Sequence, residues 1–410
     1  MCNFARGFAV KLLLHIGTQK TGSTAIQVML FKNRALLARN GIHVMTSNGT
    51  GNYRKLATAC LDFDREDAFL LRHDIAPGQS RAAFRDEVLA GFAAELAGLK
   101  PHIHTVVMSG EHFSSNTTRL SELELLQSLF APHFSEIAVL CYLRDQVSLR
   151  AASYSTTLKS GSTAAFGDAI SICNPDLPFF NYALMLETWA SVFGKDALDV
   201  RLYNRDTWRD GDLLSDMVAT LDTALVEKIK REDAPRNPSL NHHGQLLLRA
   251  INEVVPATHG QPNHVRYHLV HMCETQFAGP GQYPPPADQT KIYEAFRPSN
   301  AAVARDYFGR DDDLFPPPDY PEGLMPMEPD FISAIARVIA MLVQPDVMIL
   351  PGHYADLFRD AATKLKESDA ETAYQLMHLA AVMRPSGHII QRNLKEIEAA
   401  LQDMAAGAGL

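Results

Sequence analysis

Cysteine is scarce in this chain: five among 410 residues, at Cys2, Cys60, Cys141, Cys173 and Cys273. None forms a Cys-x-x-Cys pair or stands at zinc-ligand spacing with histidine. A disulfide scaffold and a zinc ribbon are therefore excluded, and reduced thiols of a cytosolic protein are expected. Basic residues are also in short supply. Lys and Arg number 38 against 47 Asp and Glu, a formal net charge of −9, which speaks against a dedicated nucleic-acid binder. Long apolar runs are missing as well. Nothing approaches the roughly 18 uninterrupted apolar residues of a membrane span, and Lys11 interrupts the stretch from Phe8 to Ile16, which argues against a signal peptide. What remains is an ordinary globular composition, 46% hydrophobic and 21% charged. At this length one large α/β domain with a smaller unit is expected.

Four short Val-, Ile- and Leu-rich runs read as buried parallel strands: Lys11–Ile16, Thr105–Met108, Ile137–Leu143 and Leu198–Tyr203. Helical patterns lie between them at Thr24–Arg39, Arg81–Leu99, Ser121–Phe130, Gln146–Lys159 and Tyr182–Phe193. Alternating strands and helices imply an α/β fold: a doubly wound, P-loop-like parallel sheet flanked by helices. Ligands of such sheets bind beyond the C-terminal strand ends, so the segments to inspect are Gly17–Thr24, Ser109–His112, Arg144–Gln146 and Asn204–Asp206. The proline-rich stretch 256–328 reads as long loops with one short helix near Asn300–Phe308. Beyond it the chain turns helical again, which sets domain boundaries of 1–328 and 329–410.

The first of those segments carries the clearest chemistry. A strand ending at Ile16 runs into Gly17-Thr18-Gln19-Lys20-Thr21-Gly22-Ser23-Thr24 and then into a helix. Backbone N–H groups of such a turn and the positive end of the helix cradle an anion. Gly17 and Gly22 let the backbone close, Lys20 brings a mobile charge, and Ser23 and Thr24 bring hydroxyl donors. The spacing Gly17-x4-Gly22 begins like the nucleoside-triphosphatase P-loop, but Ser23 stands where that motif needs lysine. The lysine lies inside the loop instead, which points away from ATP with magnesium.

The order Gly-Thr-x-Lys-Thr-Gly-Ser-Thr resembles the 5′-phosphosulfate loop of sulfotransferases that use 3′-phosphoadenosine 5′-phosphosulfate (PAPS). Further elements follow in the order found in the bacterial carbohydrate-type members: Arg144 after a central strand, Leu198–Tyr203 followed by Asp206, Asn237-Pro238-Ser239-Leu240-Asn241, and Asp306-Tyr307-Phe308-Gly309-Arg310. The similarity runs over residues 10–320. It implies that PAPS is the co-substrate, that no metal is needed, and that residues 17–24 hold the 5′-phosphosulfate. It also implies that Arg144 holds the 3′-phosphate, with a serine about two helical turns later. That position is Ala152 here, so a one-residue slip favours Ser153, with Ser148 as the alternative. Gln146 replaces the usual proline after the arginine. The Gly-rich C-terminal nucleotide motif of small-molecule sulfotransferases is not evident, which leaves the adenosine contacts undefined.

Sulfuryl transfer needs a base for the acceptor and a charge for the leaving group. Lys20 suits the leaving group. The strand Thr105–Met108 delivers Glu111 and His112 to the same sheet edge, Glu111 as the first candidate base and His112 as the second. Glu111 could instead anchor the nucleotide loop. The polar segment Gly49–Lys55, with Tyr53, Arg54 and Lys55, could contact a sugar or an anionic acceptor. His242 and His243 lack a third ligand for a metal. The expected reaction is transfer to a hydroxyl or amine of a carbohydrate or related acceptor, by a bacterial, cytoplasmic enzyme without a membrane span. The alternatives are a P-loop kinase and a catalytically inactive binding protein.

Tyr354–Gly387 fits a single tetratricopeptide-like unit. Ala361, Ala373 and Ala380 stand at its helix contact, Leu357 at an apolar position and Pro385 at its end. One such unit cannot bury its own face. A protein partner or self-association through these helices is therefore a further expectation.

Overall fold

In the computed structural model, residues 10–46, 51–231, 238–255, 264–321, 352–366, 369–384 and 387–407 are described, together with Ile332, Ile335 and Ala336. Cys2, Gly49, Thr50, Asn237, Pro385 and the side chain of Leu357 lie outside them. The sheet has five strands, β1 (Lys11–His15), β2 (Ile42–Val44), β3 (Thr105–Ser109), β4 (Glu136–Leu143) and β5 (Leu198–Leu202), in the order β2-β3-β1-β4-β5. All neighbours pair in parallel, and Lys11 of β1 lies opposite both Thr105 and Glu136.

The near-continuous apolar strands are explained by burial on both faces. Leu12 and Leu14 join Val106, Met108, Val139 and Cys141 in one core layer. Leu13 joins Val107, Leu140 and Tyr142 in the other, as the two-residue side-chain period requires. The chain leaves β1, visits the outer strand β2, returns through β3, and crosses to β4 and β5. The order thus reverses at β1, where α/β sheets place their ligands.

Several details differ from the sequence expectations. β2 was not anticipated: Ile42-His43-Val44 is too short to show a period. The helix expected over Thr24–Arg39 is two, Ser23–Lys32 and Arg34–Arg39. Asn33 divides them because its amide donates to Met29 O and Lys230 O, both at 2.9 Å, and accepts from Lys230 N at 2.8 Å. The stretch 256–328 is not mainly loop. It holds the helices His264–Gln276 and Pro286–Phe308, the latter 23 residues long. Pro286 opens the second of these at its first position, where the missing N–H costs nothing. Pro298 is accommodated inside it, between buried Phe296 and Asn300.

The chain divides into two compact units, residues 1–252 with 267–327, and residues 253–266 with 328–410. In the second, the helices Gly352–Leu365, Ala370–Met383 and His388–Gly407 pack in sequence. Ala373, Met377, Ala380, Ile390 and Ile397 are fully enclosed. The enclosed small residue of the first helix is Ala362 rather than Ala361, while Ala355 lies one turn-pair earlier on the same face. Arg384 ties the hairpin ends together through Asp356 at 2.9 Å.

Candidate active site

The turn after β1 is shaped by two glycines that no other residue could replace without displacement. Gly17 has φ +99° and lies so close to the next loop that a Cβ would stand 3.1 Å from Glu111 Cα. Gly22 has φ +79°, and a Cβ there would fall 2.3 Å from Leu213 Cδ2. Lys20 between them also takes a left-handed conformation, φ 60°. Gly22 is the N-cap of the helix Ser23–Lys32 and offers it no side-chain hydrogen bond. The first-turn N–H groups of that helix therefore keep their donors for a ligand.

The loop's hydroxyls divide into two sets. Thr18 is buried, and its N and Oγ1 both donate to Tyr142 O at 3.1 Å. Thr21 Oγ1 donates to Thr18 O at 2.6 Å, and Ser23 Oγ to the same carbonyl at 3.3 Å. These three hydroxyls hold the loop in shape. Ser23 nevertheless lines the cleft as well. Thr24 is exposed and faces the cleft, as do Gln19 and Lys20.

That cleft has a volume of about 860 Å³, within the roughly 300–1,000 Å³ of small-molecule sites. Its walls bring together all four of the strand ends singled out in the sequence. Lys20 comes from the β1 turn, Glu111 and His112 from beyond β3, and Arg144 from beyond β4. Tyr203, Arg205 and Trp208 beyond β5 extend it. Arg144 Nη1 donates to Lys20 O at 2.9 Å and its Nε to Ser148 Oγ at 2.8 Å, while its guanidinium lies 5.5 Å from the centre of the Tyr203 ring. Asp145 caps the helix Gln146–Lys159 by accepting from Ser148 N at 2.9 Å, and it takes a further hydrogen bond from Tyr320 OH at 2.7 Å. Gln146 stands where a proline was expected and is fixed by a reciprocal amide pair with Asn300, at 3.0 and 3.1 Å. The helix start carrying Arg144 is thereby anchored to the helix Pro286–Phe308.

Of the two candidate serines, Ser148 is the one that meets Arg144, although it too is buried, does not line the cleft and donates its own hydroxyl to Asp145 Oδ2. Ser153 is buried, its Oγ donates to Leu149 O at 2.7 Å within its own helix, and it does not line the cleft. Helical spacing from Ser148 leads instead to Ala152 and Thr156, which do line the cleft. Thr156 was missed. Its Oγ1 accepts a hydrogen bond from Lys20 Nζ. Lys159, also missed, lies on the same helix and pairs with Glu274 at 2.8 Å.

The electrostatics of the cleft are those of an anion site. Among the described residues, neither Lys20 nor Arg144 forms an ion pair. Burial, followed by the repulsion of Lys159 and Arg144, pushes the Lys20 ammonium down to about 8, with Glu111 opposing. Glu111 and the Glu274 partner of Lys159 offset these cations only in part, a cost that a bound anion relieves.

Beyond β3, Gln27 Nε2 donates to Glu111 Oε2 at 2.7 Å. Arg54 Nη1 lies 3.0 Å from His112 Nδ1. The segment before Arg54 packs hard against the turn after β3: a Cβ on Gly110 would meet Asn52 O at 2.5 Å. Of the element expected at 237–241, Pro238 and Ser239 line the cleft, and Leu240 N donates to Ser155 Oγ at 2.8 Å. Asp306–Arg310 does not line it and ends the helix Pro286–Phe308 instead.

No known family model matches the chain. A protein of Archaeoglobus fulgidus, described only as uncharacterized, is 26% identical over 174 residues, 42% of this chain. The match spans 46% of that relative's length. Among solved structures, the crystal structure of a sulfotransferase from Alicyclobacillus acidocaldarius aligns at 10% identity with a TM-score of 0.38, covering 72% of this chain and 95% of that one. Neither similarity places the chain in a family. Among the described residues, no helix is long and apolar enough to cross a membrane.

Proposed function

We propose that the protein is a sulfotransferase that moves a sulfuryl group from PAPS to a hydroxyl or amine of a carbohydrate or related acceptor. The observation that carries this reading is the meeting of Lys20 and Arg144, unpaired, at the strand-order reversal of a parallel sheet. Two separate anion-binding devices at one edge suit a nucleotide with phosphate at both ends of its ribose. The glycine loop and the uncapped helix start hold the 5′ end. Arg144, with Ser148 rather than Ser153, holds the 3′-phosphate.

In this reading Glu111 takes the proton from the acceptor as the new oxygen–sulfur bond forms. The bond from sulfur to the 5′-phosphate oxygen breaks in line, and Lys20 meets the charge left on that phosphate. The alternative base is His112. The domain assignment belongs to the same proposal: residues 1–328 carry the chemistry, and 329–410, a tetratricopeptide-like helical region, offer a surface to a protein partner or a second copy.

Calorimetry with 3′,5′-adenosine bisphosphate against ADP, with and without magnesium, tests the reading. Strong preference for the bisphosphate is expected without magnesium. Preference for ADP with magnesium would favour a kinase, and no binding of either would favour a binding protein.

A further inference from the structure

His112 does not stand alone at the cleft wall. Its Nδ1 faces Arg54 Nη1 at 3.0 Å. The other arm of the Arg54 fork, Nη2, lies 2.5 Å from Asp67 Oδ2. Asp67 is itself fixed twice more: its Oδ1 accepts from Phe69 N at 2.8 Å as a helix cap, and its Oδ2 accepts from Asn116 Nδ2 at 2.9 Å. Asp67 and Arg54 are both largely enclosed, with side chains 6% and 16% exposed. The backbone that carries Arg54 is equally set. Tyr53 is buried with φ 54°, and its hydroxyl donates to Met45 O at 2.6 Å.

A guanidinium has only donors. Its contact with Nδ1 therefore requires a lone pair on that nitrogen, and the neutral ring must carry its proton on Nε2. We infer that Arg54, pinned by Asp67, is a positioning residue that fixes His112 as the Nε2-protonated, neutral imidazole at the cleft wall. This rests on the sulfotransferase reading for its role in turnover, and it resolves the choice of base within that reading. A ring whose one lone pair is already engaged has none to offer an acceptor proton. His112 then serves as a hydrogen-bond donor to the reacting groups, and proton removal falls to Glu111.

The charged groups around the ring agree with this. Burial and Arg54 hold His112 below its ordinary range, while Glu111, Asp67 and a hydrogen bond with Asn116 pull the other way. The fork geometry is what makes arginine suited to the task, since a lysine cannot serve both partners in one plane.

The test is ¹⁵N NMR on the full chain labelled at histidine, without nucleotide, with the His112 signals assigned by their loss in His112→Gln. The expected wild-type ring is neutral near pH 7 with its proton on Nε2. In Arg54→Met the two tautomers should mix and the titration midpoint should rise, because the guanidinium is gone while Asp67 and Glu111 remain. A wild-type ring protonated on Nδ1 overturns the inference whether or not any variant folds. An Arg54→Met ring unchanged in tautomer and midpoint overturns it too. Because no nucleotide is present, failure to bind adenosine bisphosphate would sink the sulfotransferase reading and leave this measurement intact.

Discussion

Replacing Arg144 with alanine separates the two phosphate sites of the proposed nucleotide. The guanidinium has five N–H donors. One is spent on Ser148 Oγ, one on Lys20 O and one faces the Tyr283 hydroxyl, which leaves two for a ligand. Two parallel charge-assisted bonds to a 3′-phosphate would be worth about 3–6 kcal/mol, given roughly 1.5–3 kcal/mol for a single hydrogen bond to a charged group. At about 1.4 kcal/mol per tenfold, Arg144→Ala should weaken 3′,5′-adenosine bisphosphate by about 100- to 20,000-fold. Adenosine 5′-monophosphate lacks the 3′-phosphate and reports on the loop alone, including any loosening caused by the lost Lys20 O contact. The quantity to measure by calorimetry is therefore the ratio of the two affinities in wild type and variant. It should collapse towards unity in Arg144→Ala. A ratio that survives the substitution refutes the placement of the 3′-phosphate at Arg144, whatever happens to either affinity alone.

Other substitutions probe the remaining parts. Lys20→Ala should abolish turnover and leave the circular dichroism spectrum and thermal midpoint near wild type; turnover at the wild-type rate would remove the loop from the mechanism. The Lys20 ammonium, lowered to about 8 in the free protein, regains its proton when an anion relieves the local repulsion. Bisphosphate binding above about pH 8 should thus weaken and take up a proton, seen as a buffer-dependent heat that Lys20→Ala eliminates. Ser148→Ala should cost about 1 kcal/mol of bisphosphate affinity, whereas Ser153→Ala, whose hydroxyl only back-bonds to Leu149, should leave affinity unchanged; the reverse ranking would restore the original choice. Gly22→Ala forces a β-carbon into a left-handed residue and against Leu213, so it should destabilise the protein by about 1–2 kcal/mol and weaken both nucleotides, measured by chemical denaturation and calorimetry.

Much of the sheet-bearing unit is legible in the sequence because its information is local. Gln146–Lys159 and Tyr182–Phe193 are helices over those same residues, each opened by a side-chain cap and carrying an unambiguous period. The strand ends that form the cleft were legible because parallel strands are buried on both faces and read as plain apolar runs. What escaped was decided by distant partners. The break at Asn33 depends on Lys230, nearly two hundred positions away, and the proline-rich stretch hides a 23-residue helix that starts at Pro286 and keeps Pro298 in its interior. Ser153 was preferred by counting from Arg144, yet its hydroxyl bonds back along its own helix. Stepping by four from Ser148 would have found both Ala152 and Thr156. Arg54 was flagged only as part of a polar loop; its fork onto His112 and Asp67 joins three segments that nothing in their order connects.

The near-contact between Gly110 and Asn52 O has a bearing on any attempt to alter what the cleft accepts. Loop exchange is the natural way to alter what an α/β transferase accepts, and residues 52–60 would be an obvious cassette. Here that cassette is wedged against the strand exit bearing the presumptive base, with no room for so much as a methyl group between them. A graft that shifts Asn52 by an ångström would push Glu111 with it, so selectivity and rate should change together rather than one at a time.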